Sequence, residues 1–229
     1  PRSTFRLGTA MKNALLLIFC LFAGMAPASA QPPIVIKFSH VVAPDAPKGK
    51  AADFFAQRVD ELTKGAVKIE VYPNSSLYKD KEEMEALQLG AVQMLAPSLA
   101  KLAPLGVKEF EVFDLPYIFD NTEMLHRITE GDIGSSLLSQ LEPKGIKGLA
   151  FWDNGFKSFS ANRPIRTPAD FKGLRLRIQP SKVLESQLKS LGALPQPMAF
   201  SDIYQALRTG VIDGAENPHS NFYTQKMYE

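Results

Sequence analysis

Short β-branched runs alternate with segments of helical periodicity along most of the chain, the pattern of an α/β protein with largely parallel strands. Ile34-Val35-Ile36-Lys37-Phe38 predicts a first strand. Pro44 and Pro47 break the loop after it. From Lys48, Ala51, Phe54, Phe55, Val59 and Leu62 recur every three or four positions, one face of a helix that Gly65 ends. Val67 to Tyr72 alternates as a half-buried strand, Asp80 to Leu89 predicts a helix closed by Gly90, and Ala91 to Leu95 is apolar enough for a buried strand. Phe110 to Leu115 predicts a further strand stopped by Pro116, Glu123 to Leu141 a long helix interrupted by Gly131 and Gly134, and Ile146 to Trp152 another strand. Beyond this, Phe156–Ser160, Leu174–Ile178 and Val211–Ala215 predict strands, with helices over Ser181–Leu191 and Ser201–Thr209. Asn154-Gly155 fits a hinge between two lobes, and fits an ordinary loop turn as well.

The N-terminus breaks this pattern. From Met11 it reads MKNALLLIFCLFAGMAPASA, with a basic start, an apolar run from Ala14 to Ala23, and Ala28-Ser29-Ala30 before Gln31. That is the layout of a secretory signal peptide with start Met11 and cleavage after Ala30, residues 1–10 being an extension. The apolar run is shorter than the roughly 20 residues of a spanning helix, so no membrane span is expected in the mature chain. The chain is therefore expected to be exported. Cys20, the one cysteine, leaves with the leader, so the mature chain forms no disulfide and depends on core packing. At the other end Tyr228-Glu229 falls in what reads as the beginning of a helix, which suggests a missing C-terminal part.

With 229 residues, 45% hydrophobic and 22% charged, the chain can build one large domain or two lobes. The 26 Lys and Arg against 24 Asp and Glu give +2, but residues 1–30 hold three basic residues and no acid. The remainder is close to neutral, which argues against a nucleic-acid surface.

No catalytic set emerges. His40, His126 and His219 lack metal-site spacing, and there is no GxSxG elbow, phosphate loop or dinucleotide fingerprint. Acid pairs such as Glu82-Glu83 and Asp60-Glu61 fall on polar helix faces, where solvated charge is the default. Neither a cofactor nor a metal is expected.

A binding site is better supported. In Leu174-Arg175-Leu176-Arg177-Ile178-Gln179 the alternation directs both arginines from one strand face and the apolar residues from the other. Pro180-Ser181 then opens a helix, whose N-terminal N–H groups favour anions. A guanidinium fork beside them could take a carboxylate in fixed geometry. An exposed edge strand with solvated arginines fits the same pattern.

This strand and its continuation, GLRLRIQPSKVLESQLKSLGALPQPMAFSDIYQALRTGVIDGAENP, resemble the periplasmic solute-binding proteins of TRAP transporters, in the DctP-type, C4-dicarboxylate-binding branch. The resemblance includes FSHVVAPDAPKGKAA at 38–52, VYPNSSLYKDKEEMEALQLGAVQMLAPSLAKLAPLG at 71–106, FDLPYIFD at 113–120 and WDNGFKSFSANRPI at 152–165, and covers 34–229. It implies an α/β, two-lobed periplasmic binding protein, type II-like, with a central ligand cleft. Lobe I would span 31–154, and lobe II, 155–229, would be incomplete.

By position, Arg177 matches the arginine that salt-bridges the ligand carboxylate, Phe200 an aromatic wall, and Asn217 the asparagine that hydrogen-bonds the same carboxylate. Lys157 stands where many sialic-acid-binding relatives have a second arginine, a departure that argues against sialic acid and resembles the NGFK form of the dicarboxylate branch, where Lys157 with neighbouring N–H groups can help form a diacid's second pole. His40 and Ser98 are placed to line the cleft from the other lobe, and packing or capping would explain them equally. The implied partners are a small organic anion and the TRAP membrane permease subunits. Aromatic, keto or sugar acids remain alternatives as ligands, and a periplasmic sensor remains an alternative role.

Overall fold

The structure, a computed structural model, describes residues 31–229; the predicted leader and cleavage site lie outside the described residues. Strand β1 (Ile34–Ser39) leads through helix α1 (Pro47–Thr63) to β2 (Val67–Tyr72), which pairs with β1 in parallel, Ile34 opposite Val67 and Ser39 opposite Tyr72. After α2 (Glu83–Gln88), the short β3 (Met94–Leu95) joins the other edge of β1, giving the order β2-β1-β3. Proline fits the first turn of α1, where its missing N–H has no helical partner. Lys64 (φ 52°) and Gly65 (φ 81°) end the helix in the left-handed region. The predicted face of α1 is only partly buried. Ala52 is enclosed and the Phe55 ring meets Phe38 edge-on at 6.2 Å, whereas Phe54 and Leu62 face solvent.

The second sheet contains β4 (Lys157–Ala161), β5 (Arg175–Ile178), β6 (Leu194–Pro197) and β7 (Gly214–Pro218), in the order β4-β7-β5-β6. β5 is parallel to β6 and β7, while β4 is antiparallel to β7. Helix α5 (Lys182–Ser190) connects β5 to β6, its Ser181 hydroxyl accepting the Leu184 N–H as an N-cap. Helix α6 (Ile203–Arg208) connects β6 to β7, and α7 (His219–Thr224) follows β7 directly.

Between the sheets, helix α3 (Thr122–Thr129) and helix α4 (Asp132–Ser139) replace the single long helix expected over 123–141. Gly131 starts α4, and a Cβ on Gly134 would lie 1.9 Å from the Thr129 carbonyl oxygen. The close approach requires glycine and turns the chain.

Other expectations are corrected. The segment over Phe110–Leu115 is a 3₁₀-helix, Lys108–Asp114, not a strand. Its decisive spacing is Val107, Phe110 and Phe113, three apart, all packed in one cluster with Met84, Leu137 and Ile146. Ile146–Trp152 forms no strand, having no ladder partner among the described residues, although Ile146 and Phe151 contribute to the same cluster. The last strand is displaced from Val211–Ala215 to Gly214–Pro218, because Ile212 packs against α6 residues instead of entering the sheet. β6 and α7 had no counterpart in the sequence reading.

Residues 33–229 form one compact unit. A second core lies under β5 and α5, with Leu174, Leu176, Ile178, Leu184 and Leu188. A third joins Val42 and Ala46, from the loop after β1, to Phe200, Ile203, Ala215 and Met227 of the second sheet and its helices. It ties the two sheets together beside Arg177.

Candidate functional site

Alternation along β5 places Leu174, Leu176 and Ile178 in the core and turns Arg175 and Arg177 to the opposite face. Arg175 is half-exposed and fully engaged. Its Nε and Nη2 donate to the two carboxylate oxygens of Asp213 at 3.0 and 2.6 Å, and its backbone N–H donates to the same group. Arg177 is only 1% exposed. Its Nε donates to the Met198 carbonyl at 3.0 Å, its guanidinium lies 5.8 Å from the centre of the Phe200 ring, and its Nη2 has no hydrogen-bond partner among the described residues. A buried cationic donor without an acceptor is costly, and an incoming anion relieves that cost.

The nearest anion is Asp80, whose Oδ2 stands 3.5 Å from Arg177 Nη2. Asp80 comes from the segment between β2 and α2, yet both its oxygens accept the Phe200 N–H at 3.1 Å. Lys101 Nζ is 3.9 Å from the same Oδ2 and forms a buried ion pair with Glu83. Lys48 is drawn into the same nest: it donates to the Ala96 carbonyl at 3.0 Å, and burial, reinforced by the Lys101 charge, pulls its ammonium down to about 8.

The register extends the Arg177 face. Arg177 is paired with Ala215 on β7, so Asn217, two residues on, shares that face. Asn217 is buried, and its Nδ2 has only the weak acceptor Sδ of Met227, at 3.4 Å. The fold thus puts Arg177 and Asn217 on one sheet face and the Phe200 ring against the guanidinium. Lys157 is not on that face. It pairs with Pro218, and alternation places Lys157 and Glu216 on the other face. Its Nζ lies 3.2 Å from Glu216 and 3.4 Å from Asp114. Burial opposes the Lys157 charge, but these two carboxylates outweigh it and raise the ammonium above its ordinary value.

His40 ends the run of β1 and is buried with both ring nitrogens unpartnered. Burial, followed by the Lys48 charge, lowers it to about 4, so it is neutral at pH 7. Ser98 is half-buried before the Leu99–Lys101 turn; its hydroxyl makes no capping bond, and its carbonyl accepts the Lys101 N–H at 3.0 Å. A separate open groove of about 420 Å³, lined by Asn74, Tyr204 and Lys226 among others, includes none of the six predicted residues.

Sequence reasoning missed Asp80, Glu83, Lys101, Lys48, Asp114 and Glu216. Glu83 corrects the expectation of a solvated acid pair, because it is buried against Lys101. One signal was available: a carboxylate three residues after another, in Asp80 and Glu83, puts both on one side of a helical turn. Their partners come from distant segments and leave no local trace. No group of three or more His, Cys, Asp or Glu among the described residues is arranged to hold a metal ion. No described helix is long and apolar enough to cross a membrane.

Residues 38–229 match the model of the bacterial extracellular solute-binding protein, family 7, also called DctP. The chain belongs to this family. It is 68% identical over 203 residues to the C4-dicarboxylate-binding periplasmic protein DctP of Rhodobacter capsulatus, covering 89% of this chain and 61% of that protein. A TRAP periplasmic solute-binding protein from Sulfurospirillum deleyianum, crystallised with bound succinate, is similar with a TM-score of 0.83 and 49% identity, over 86% of this chain and 64% of that one. One from Pseudomonas aeruginosa, with bound L-malate, has a TM-score of 0.82 and 48% identity, over 85% and 68%. The family 7 chain thus has the two-lobed α/β fold of TRAP solute-binding proteins. The family is one of solute binding, and its members are extracellular.

Proposed function

We propose that this family 7 chain is the periplasmic solute-binding subunit of a TRAP transporter, capturing a small C4-dicarboxylate such as succinate, malate or fumarate and delivering it to the membrane permease. The observation that carries the reading is Arg177: a buried guanidinium with an unpartnered Nη2, on the same face as Asn217 and against Phe200. One ligand carboxylate engages the Arg177 fork and the Asn217 amide. The relatives with bound succinate and L-malate favour a diacid. Lys157 contributes to the second pole less than Arg177 does to the first, since two carboxylates already share its charge. His40 and Ser98 line the cleft from the other lobe.

The energetics suffice without covalent chemistry. A charge pair at about 4 Å is worth on the order of 4 kcal/mol at an effective dielectric of 20, before desolvation. Micromolar binding needs about 8 kcal/mol, within reach of two poles and several hydrogen bonds. Lobe I (31–154) and lobe II (155–229) close about Asn154-Gly155, where Gly155 has φ 89°. Contacts made only in the closed form then shift the population toward it, and the permease reads that form. The leader from Met11 exports the chain and is removed after Ala30.

A thermal-melt screen of the mature protein at its natural full length tests this against succinate, malate, fumarate, 2-oxo acids, aromatic acids, sugar acids and sialic acid. At 100 times its dissociation constant a ligand adds about 2.7 kcal/mol of stability. A shift confined to four-carbon diacids is expected. A shift with another acid moves the substrate, and none with any anion overturns the reading.

A further inference from the structure

We propose that Asp80 is a positioning residue of the anion site, fixing the Arg177 guanidinium against the start of the Phe200 turn so that a ligand carboxylate meets an already oriented fork. This rests on Arg177 being the carboxylate site, as proposed above.

The geometry separates two tasks within one carboxylate. Its hydrogen-bonding capacity goes to the Phe200 N–H, which both oxygens accept at 3.1 Å. Its charge acts on Arg177, 3.5 Å away, without forming a hydrogen bond to Nη2, and it does so alongside the charge of Glu216 on β7, while Asp80 is the carboxylate in ion-pair range of the guanidinium. Asp80 therefore orients the guanidinium yet leaves the Nη2 donors for an incoming anion. With Nε held by the Met198 carbonyl, the group is restrained by one hydrogen bond and one charge contact on different nitrogens, which limits its rotation. Lys101, which approaches the same Asp80 oxygen and is itself paired with Glu83, offsets the Asp80 charge and reduces its repulsion of an anionic ligand.

The contact also crosses between sheets. Asp80 follows β2 of the first sheet, whereas Arg177 and Phe200 belong to the second sheet and its connections. An exposed ion pair beside it, Lys79 to Asp202 at 3.0 Å, bridges the same two segments. Being solvated, it is weak. Asp80 is the buried element of this junction, so the orientation of Arg177 depends on how the sheets meet.

A double-mutant cycle on the full-length protein tests the proposal, with succinate affinity measured by calorimetry for the parent, Asp80→Asn, Arg177→Lys and the double variant. Asparagine keeps an oxygen to accept the Phe200 N–H and removes the charge. Lysine keeps a charge and removes the planar fork. Asp80→Asn is expected to weaken succinate at least tenfold in the parent and less than threefold beside Lys at 177, where no fork remains to orient. Equal losses in both backgrounds would show a merely structural role, and unchanged or tighter binding by Asp80→Asn would show that Asp80 only competes for Arg177; either overturns the proposal. If Asp80→Asn does not fold, Asp80→Glu, which retains the charge and shifts it by one methylene, enters the same cycle under the same criteria. A parent that binds neither succinate nor malate sinks the dicarboxylate reading itself, whereas a binding parent with equal losses sinks only the role of Asp80.

Discussion

Two arginines of β5 present the same residue in opposite circumstances. Arg175 is 41% exposed along its side chain and locked to Asp213 by paired hydrogen bonds. Arg177, two residues on and facing the same way, is buried with one side-chain hydrogen bond and an unpartnered Nη2. A satisfied arginine is a structural tie, while a buried one whose Nη2 makes no hydrogen bond among the described residues is the one proposed above to take the ligand. The largest expected effect breaks the pair apart. Arg177→Ala should lower succinate affinity at least a thousandfold, about 4 kcal/mol, as truncation of a buried charge partner does. Arg175→Ala should change it less than twofold. Calorimetry on both variants decides, and comparable losses would remove the distinction.

Lys157 sharpens the contrast from the side of satisfied charge. It is 34% exposed, but its partners Glu216 and Asp114 are nearly fully buried. Lys157→Ala leaves Asp114 and Glu216 buried without their nearest cation, Arg177 being the other positive charge that acts on Glu216, and should cost about 3 kcal/mol of stability in a urea titration. Lys157→Arg should retain most of that stability. If the arginine also leaves the ranking of anions unchanged, Lys157 is a counter-ion and does not touch the ligand.

How much of this was legible follows from the range of each interaction. The alternation in Leu174 to Ile178 correctly placed the core face and the arginine face, because strand periodicity is local. It could not distinguish Arg175 from Arg177, since Asp213 and Asp80 come from other segments. The resemblance named Arg177 rather than Arg175, together with Phe200 and Asn217, and the fold puts Asn217 on the Arg177 face and the Phe200 ring beside it. The pairing of Lys157 with Asp114 and Glu216 was not legible, because Asp114 lies in a segment whose apolar run predicts a strand and which forms a 3₁₀-helix. Glu83 was misjudged because a helix face is polar only until a distant lysine, here Lys101, covers it.

His40 offers a third case, a buried group that is unsatisfied yet neutral. Its folded value of about 4 lies below the ordinary 6.5, chiefly through burial. The unfolded chain therefore binds the proton first as pH falls. The stabilising contribution is complete above about 6.5 and is lost as pH drops toward and through 4, with a slope of up to about 1.4 kcal/mol per pH unit for one proton. His40→Gln should flatten the stability profile over that window relative to the parent. Parallel profiles would mean that the imidazole is charged, and therefore partnered, in the folded protein.

The smallest effect returns to Arg175. Its carboxylate partner Asp213 is held down to about 2 by the side-chain hydrogen bond from Arg175, against the opposing effect of burial. A carboxylate lowered in the folded state stabilises the protein above its unfolded value, near 4, and loses that contribution as pH falls through about 2. Because the arginine is partly solvated, Arg175→Ala should cost only about 1 kcal/mol at neutral pH. The gap between parent and variant in urea titrations should close between pH 4 and pH 2. A gap that persists at pH 2 would mean that Arg175 stabilises β5 by packing its stem instead of by its charge, and the paired hydrogen bonds would then not be what separates it from Arg177.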